Sequence, residues 1–222
     1  MLFEAKRKFD FDDELKTFLP FYLQKFVFAL SKIIMPFWIL YFLNIGFTYT
    51  QIGIICSIRS IVSLIFEIPT GVFADTKGKK VSVISGYFLA GLTYLMIPLY
   101  NNYYYILVVF IINSFVETLI SGSDQAWATE LANNDTRKIG SYFLKMASVQ
   151  NFAVVFSPII GGLVAQRFGF KWLWIVFGIG TIISSGILLF AKKDSVGYAE
   201  EHGFKLIPKI KLGFDYIRLA PQ

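Results

Sequence analysis

Six stretches of this chain are apolar over about twenty residues or more: roughly 20–44, 51–74, 81–100, 103–128, 141–166 and 171–191. A helix of about 20 apolar residues matches the hydrocarbon thickness of a bilayer. Within hydrocarbon, only helices and closed barrels satisfy their own backbone. Blocks of this length are too long for core strands and too numerous for a signal peptide. Only 16% of the residues are charged and 55% are hydrophobic, against about 25% charged in a soluble domain. The expected class is an all-α membrane protein with six transmembrane helices. The first helix is the least clean, because Lys25 and Lys32 interrupt it.

The net charge of +6 does not point to nucleic acid, because Lys and Arg fall in the gaps between apolar blocks. With the N-terminus inside, the inner segments hold Lys6, Arg7, Lys8, Lys16, Lys77, Lys79, Lys80, Arg137, Lys138, Lys192 and Lys193, and the outer ones only Arg167 and Lys171. This asymmetry predicts a multi-pass protein of the cell membrane with both termini cytoplasmic. Tyr100, Tyr103, Tyr104 and Tyr105 then fall at the outer interface. Residues 1–18 read as a cytoplasmic amphipathic lead-in on the bilayer surface, residues 19–193 as the six-helix bundle and residues 194–222 as a cytoplasmic linker. The single cysteine, Cys56, lies inside an apolar run and reads as buried packing. One histidine, His202, leaves no material for a metal cluster or a catalytic constellation, so no enzyme, metal or cofactor is expected.

The second and fifth helices end alike. Gly71, Ala74, Gly78 and Lys80 coincide with Gly162, Ala165, Gly169 and Lys171 at one constant offset. Three helices separate the copies, so the ends face opposite sides, which predicts an inverted three-plus-three repeat. The first copy reads Gly71-Val72-Phe73-Ala74-Asp75-Thr76-Lys77-Gly78-Lys79-Lys80. That pattern resembles the loop between helices 2 and 3 of the major facilitator superfamily, whose members are secondary transporters. The resemblance implies half of a twelve-helix transporter, with Gly71, Asp75, Gly78, Lys79 and Lys80 forming a conformational latch. Gly71 is expected to admit a neighbouring helix closely and Gly78 to free a tight turn. Asp75 would sit at the interface with the missing half, and Lys79 would pair an acid on helix 4, for which Glu130 is the candidate. Thr76 departs from the family pattern, which usually carries a basic residue there. Ser157-Pro158-Ile159-Ile160-Gly161-Gly162 resembles the antiporter motif of the family, although Ser157 replaces its glycine. Pro158 is expected to bend the helix, and Gly161 and Gly162 to allow close packing.

Ionisable groups within a span cost about 2.5–3.5 kcal/mol each on insertion scales and seldom face lipid. Helix 4 carries Asn113, Glu117, Ser121, Asp124 and Gln125 at three- and four-residue steps, and helix 2 carries Arg59, Ser63 and Glu67. Helix 5 offers Gln150 and Asn151, whereas helices 3 and 6 have almost no such groups. In the family, helices 1, 2, 4 and 5 border the central cavity. Glu117 is the candidate proton carrier. Arg59 is either its ion-pair partner or a holder of an anionic substrate. Glu67 and Asp124 are candidate gating or packing groups, and Lys25 is expected to snorkel to the inner interface. The arginine common on helix 4 of the family is absent, because Thr118 occupies its place.

The functional expectation is the N-terminal half of a secondary active transporter moving a small solute by alternating access, with proton-coupled efflux. An uptake symporter, or a six-helix non-catalytic membrane subunit, stands as the alternative. The expected partners are the lipid bilayer, a small-molecule substrate, and a C-terminal six-helix half or second chain, with no nucleic acid. A proton gradient takes the place of a cofactor.

Overall fold

The computed structural model describes residues 11–133 and 135–192. It contains α1 (Phe11–Ser31), α2 (Trp38–Asn44), α3 (Tyr49–Lys77), α4 (Lys79–Met96), a 3-10 turn (Ile97–Leu99), α5 (Tyr103–Thr118), α6 (Ser123–Leu131), α7 (Thr136–Phe168) and α8 (Phe170–Leu188). The described residues form no strand. The linker at 194–222 and His202 lie outside the described residues, as does the start of the lead-in.

Local chemistry explains where the helices start. Thr48 and Gln51 cap α3 reciprocally: the Gln51 backbone N–H donates to Thr48 Oγ1 at 3.2 Å, and the Thr48 N–H donates to Gln51 Oε1 at 2.9 Å. The Asn102 side chain accepts from the Tyr105 N–H at the start of α5, and Asp135 accepts from the Arg137 N–H at the start of α7. Two hairpins turn on a single residue each. Gly78, at φ 99°, joins α3 to α4, and Gly169, at φ 90°, joins α7 to α8. A side chain at such φ is strained, so glycine is required at both. The N–H of each glycine closes on the carbonyl four residues back, Ala74 and Ala165 respectively.

Five helical segments among the described residues are long and apolar enough to cross a bilayer: Tyr49–Lys77, Lys79–Leu99, Tyr103–Leu131, Thr136–Phe168 and Phe170–Leu188. The expected first span is not one of them. It is two helices, α1 and α2, parted at Lys32–Phe37. Pro36 supplies no N–H and disfavours helix at the residue before it, so the chain passes through turns there. α1 begins at Phe11, inside the segment read as the lead-in, and runs on without interruption. The fourth span is also in two pieces, separated at Leu119–Gly122, where Gly122 takes φ 71°. Carbonyls around this break are satisfied by hydroxyls of neighbouring helices. Thr70 Oγ1 donates to the Thr118 carbonyl at 3.2 Å and Ser82 Oγ to that of Leu119 at 2.8 Å. This meets the requirement that buried backbone at membrane depth be paired within the protein.

α4 and α8 form the central pair. α5, α6 and α3 pack on α4, while α1 and α7 pack on α8. A Cβ added to Gly91 would lie 2.8 Å from the Gly178 carbonyl oxygen, and one on Gly178 would lie 2.9 Å from that of Gly91. Only the missing side chains let the two backbones approach this closely. Gly161 plays the same part against the broken span, since its Cβ would stand 2.5 Å from the Ile33 carbonyl oxygen. Its neighbour Gly162 would meet only the Phe37 ring at 3.9 Å, an ordinary contact. α7 continues as helix through Pro158. Among the described residues, no atom stands within 4 Å of a Cβ added to Gly71, so none of these helices makes the expected close approach there. α3 turns that face away from the described helices. Exposed Leu64, Ile65, Val155, Ile159 and Leu163 show that α3 and α7 leave wide apolar faces uncovered.

Two apolar clusters make up the core. One gathers Tyr41, Phe42, Phe47, Tyr94, Phe110, Trp174 and Phe177. The other gathers Phe18, Phe21, Tyr87, Trp127 and Tyr142 toward the Gly78 end. Phe28 and Ile120 pack against both.

Candidate functional site

A cavity of about 400 Å³ opens where the two clusters meet, with Phe28, Lys32, Ser63, Glu67, Tyr87, Tyr94, Glu117 and Ser121 among its lining residues. α3, α4 and α5 bring the polar groups together. Arg59 Nη2 donates to Glu117 Oε2 at 2.9 Å, and the Tyr94 hydroxyl donates to Glu117 Oε1 at 2.5 Å. Both carboxylate oxygens of Glu117 are therefore occupied. The Arg59 guanidinium also lies over the Phe110 ring, 5.4 Å from its centre. Tyr94 is held by stacking on Phe177, with ring centres 4.3 Å apart. One helical turn before Glu117, Asn113 is fully buried and donates to Thr93 Oγ1 at 2.7 Å, while its Oδ1 has no partner among the described residues.

The α3 stripe continues beyond this cavity. A wider cleft of about 550 Å³ is lined by Trp38, Cys56, Arg59, Ser60, Ser63, Leu64 and Glu67. Cys56 is thus an exposed cleft residue rather than the buried packing residue its apolar run suggested. Three- and four-residue steps place Cys56, Ser60, Ser63 and Glu67 on one helix face, and that face is concave-side rather than core-side. Glu67 accepts a long hydrogen bond, 3.4 Å, from the Ser121 hydroxyl.

Other expected residues fall elsewhere. Asp124 leaves the α5 stripe because the break at Leu119–Gly122 re-aims α6, and it receives Lys25 Nζ at 3.0 Å. Lys25 therefore ties α1 to α6 instead of snorkelling outward. This pair lines a smaller cavity of about 220 Å³ with Gln125, Tyr142, Met146 and Gln150. Asn151 lies on the exposed face of α7 and lines none of these cavities. At the Gly78 end, Lys79 Nζ meets Glu130 Oε2 at 3.0 Å, joining α4 to α6. Lys80 donates to the Leu189 carbonyl at 2.9 Å and to that of Ala191, capping the end of α8 where helix carbonyls lack partners. Asp75 lies exposed in the last turn of α3.

Two site residues were not legible as such. Helix 3 carries almost no ionisable groups, which hides Tyr94. Tyr87 and Tyr94, seven residues apart on α4, are the signal that marks its polar face. Lys32 reads in the sequence as an interruption seven residues from Lys25 on one helix face, and it lines the central cavity at the break of the first span. Among the described residues, no three His, Cys, Asp or Glu side chains group so as to hold a metal ion.

Comparison with known proteins agrees with this architecture. A family model described as Major Facilitator Superfamily matches residues 21–218. The chain is 32% identical over 162 residues to the Uncharacterized MFS-type transporter YxaM of Bacillus subtilis (strain 168), covering 72% of this chain and 40% of that protein. It is 24% identical over 163 residues to the Uncharacterized MFS-type transporter MJ1560 of Methanocaldococcus jannaschii, covering 73% of this chain and 42% of that protein. The chain thus matches about two fifths of the length of these relatives.

Proposed function

The chain belongs to the major facilitator superfamily, and from that premise we propose that it forms the N-terminal six-helix half of a secondary active transporter. Transporters of this family generally need no cofactor. The proposed cycle moves a small solute across the cell membrane by alternating access, with proton-coupled efflux. The broken α1–α2 segment serves as the first of the six membrane elements, and both termini lie in the cytoplasm. The matching single-glycine hairpins at Gly78 and Gly169 support an inverted repeat of three elements each.

One observation carries the proposal: a carboxylate, Glu117, held at mid-span by Arg59 and Tyr94 on the wall of a cavity. A carboxylate held by groups on two other helices changes partners when those helices move, which is what coupling of a proton transfer to the cycle requires. Opening and closing of the cleft supplies that movement. Two expectations follow from different parts of the chain. Reconstituted with its remaining half in liposomes holding a pH-sensitive dye, the protein gives solute-driven proton movement that Glu117→Gln abolishes. Proton movement equal in Glu117→Gln and wild type would remove Glu117 from the mechanism, and solute flux with no proton movement would remove the coupling.

The latch role of Lys79, Lys80, Asp75 and Glu130 belongs to the same proposal. The Lys79–Glu130 pair ties α4 to α6 at the Gly78 end, where a closed cytoplasmic side would need a fastener. Its side chains are about a quarter exposed, 25% and 26%, so the pair alone is worth no more than about 1 kcal/mol. Lys79→Glu is expected to slow transport about fivefold, since like charges then face each other. The exchange Lys79→Glu with Glu130→Lys restores most of the rate. Transport rates of the three proteins at one substrate concentration test this, and equal rates for the single and double variants would refute it.

A further inference from the structure

The central cavity holds two charges that the Arg59–Glu117 pair does not answer. Lys32 lies at the break of the first span, with its ammonium over the Phe28 ring at 4.4 Å from the centre. Glu67 lies on α3, and its carboxylate accepts the long hydrogen bond from the Ser121 hydroxyl. Neither makes an ion pair with another described residue. Both line the same cavity, Lys32 from the break between α1 and α2 and Glu67 from α3. Arg59 and Glu117 neutralise each other at 2.9 Å and ask no charge of a ligand.

An ionised group at membrane depth is costly until an opposite charge meets it. A cation entering this cavity satisfies Glu67 and leaves Lys32 opposed by nothing; an anion does the reverse. A molecule with one group of each sign satisfies both. On the footing of the transporter reading above, we infer that the cavity takes a small zwitterion of the amino-acid type, its carboxylate toward Lys32 and its ammonium toward Glu67. The volume of about 400 Å³ lies within the range of small-molecule sites, about 300–1,000 Å³. The rings of Phe28, Tyr87 and Tyr94 give the ligand's apolar part a surface to lie on.

The test is ligand-induced thermal stabilisation of the purified full chain in detergent, with leucine, leucine methyl ester and N-acetyl-leucine as probes. These are the zwitterion, the cation and the anion of one skeleton. Leucine is expected to bind about tenfold or more tightly than either derivative, the factor a lost charged hydrogen bond produces. Lys32→Met removes the preference for leucine over its methyl ester while keeping that over N-acetyl-leucine. Glu67→Gln does the opposite. Selectivity changes of opposite direction in the two variants cannot arise from general misfolding. The inference is overturned if the methyl ester or N-acetyl-leucine equals leucine on the wild-type chain, or if none of the three raises the melting temperature. Binding of leucine without bilayer crossing in liposomes that also hold the remaining half would sink the transport proposal and leave this one standing. Crossing of a solute with no charge selectivity would do the reverse.

Discussion

Gly91→Leu is expected to unfold the helix bundle or lower its melting temperature more than any change elsewhere on α4. A Cβ at this position stands 2.8 Å from the Gly178 carbonyl oxygen and 3.0 Å from the Ile182 backbone nitrogen. Backbone atoms of a packed helix cannot move aside as a side-chain end can, so α4 and α8 must separate. Gly91→Ala alone is expected to cost about 1–3 kcal/mol, the usual range for overpacking, and the leucine more. Gly140→Ala is the control, because nothing lies within 4 Å of its added Cβ. It is expected to leave stability unchanged or to raise it by about 1 kcal/mol through helix propensity. Thermal melts in one detergent, followed by tryptophan fluorescence, compare the three. Trp174 is a suitable reporter, since it packs on Tyr94 beside the α4–α8 contact. Equal melting of Gly91→Leu and wild type would mean that the two helices do not meet at these glycines.

The second large effect is expected at Arg59 and Glu117. The side chains are 37% and 32% exposed, so the full penalty for a dry buried charge, about 3–5 kcal/mol, does not apply. Loss of one partner is expected to cost about 1–3 kcal/mol, the cost of leaving a charged hydrogen bond unmade. Arg59→Met leaves Glu117 with Tyr94 alone, and Glu117→Met leaves Arg59 over Phe110 without a carboxylate. The double variant Arg59→Met with Glu117→Met removes both charges and is expected to recover most of the lost stability. Transport separates structure from mechanism: all three variants are expected to lose it by at least about a hundredfold, the lower end of what a positioned proton-transfer group contributes. Stability recovered without transport is the expected signature of a functional pair. Transport recovered along with stability would reduce Arg59–Glu117 to a structural ion pair.

Much of the architecture is legible from residues alone. Apolar length picks out five of the six expected spans, and the spacing Gly71 to Lys80 picks out a hairpin whose turn demands a glycine at Gly78. Three- and four-residue steps gather Arg59, Ser63 and Glu67 on one side of α3 and select Glu117 on α5. Lys79 and Glu130, far apart in the chain, are brought together as the motif implied. These are properties of a single helix or a single turn, where 3.6-residue periodicity, caps and φ preferences act over a few neighbouring residues.

Partner choice is a different matter. Whether Asp124 meets the cavity or Lys25 depends on a break at Leu119–Gly122 that is stable only because Thr70 and Ser82 of other helices take up its carbonyls. Whether Cys56 packs or lines a cleft depends on which face of α3 is left uncovered. Tyr94 reaches Glu117 only because glycines at 91 and 178 let α4 and α8 lie backbone to backbone and fix the rotation of α4. The chain's own pattern settled its class and five of its six expected spans. The approach and rotation of helices remote in sequence settled which side chains meet, because an ion pair or hydrogen bond is decided over a few ångströms that no periodicity specifies.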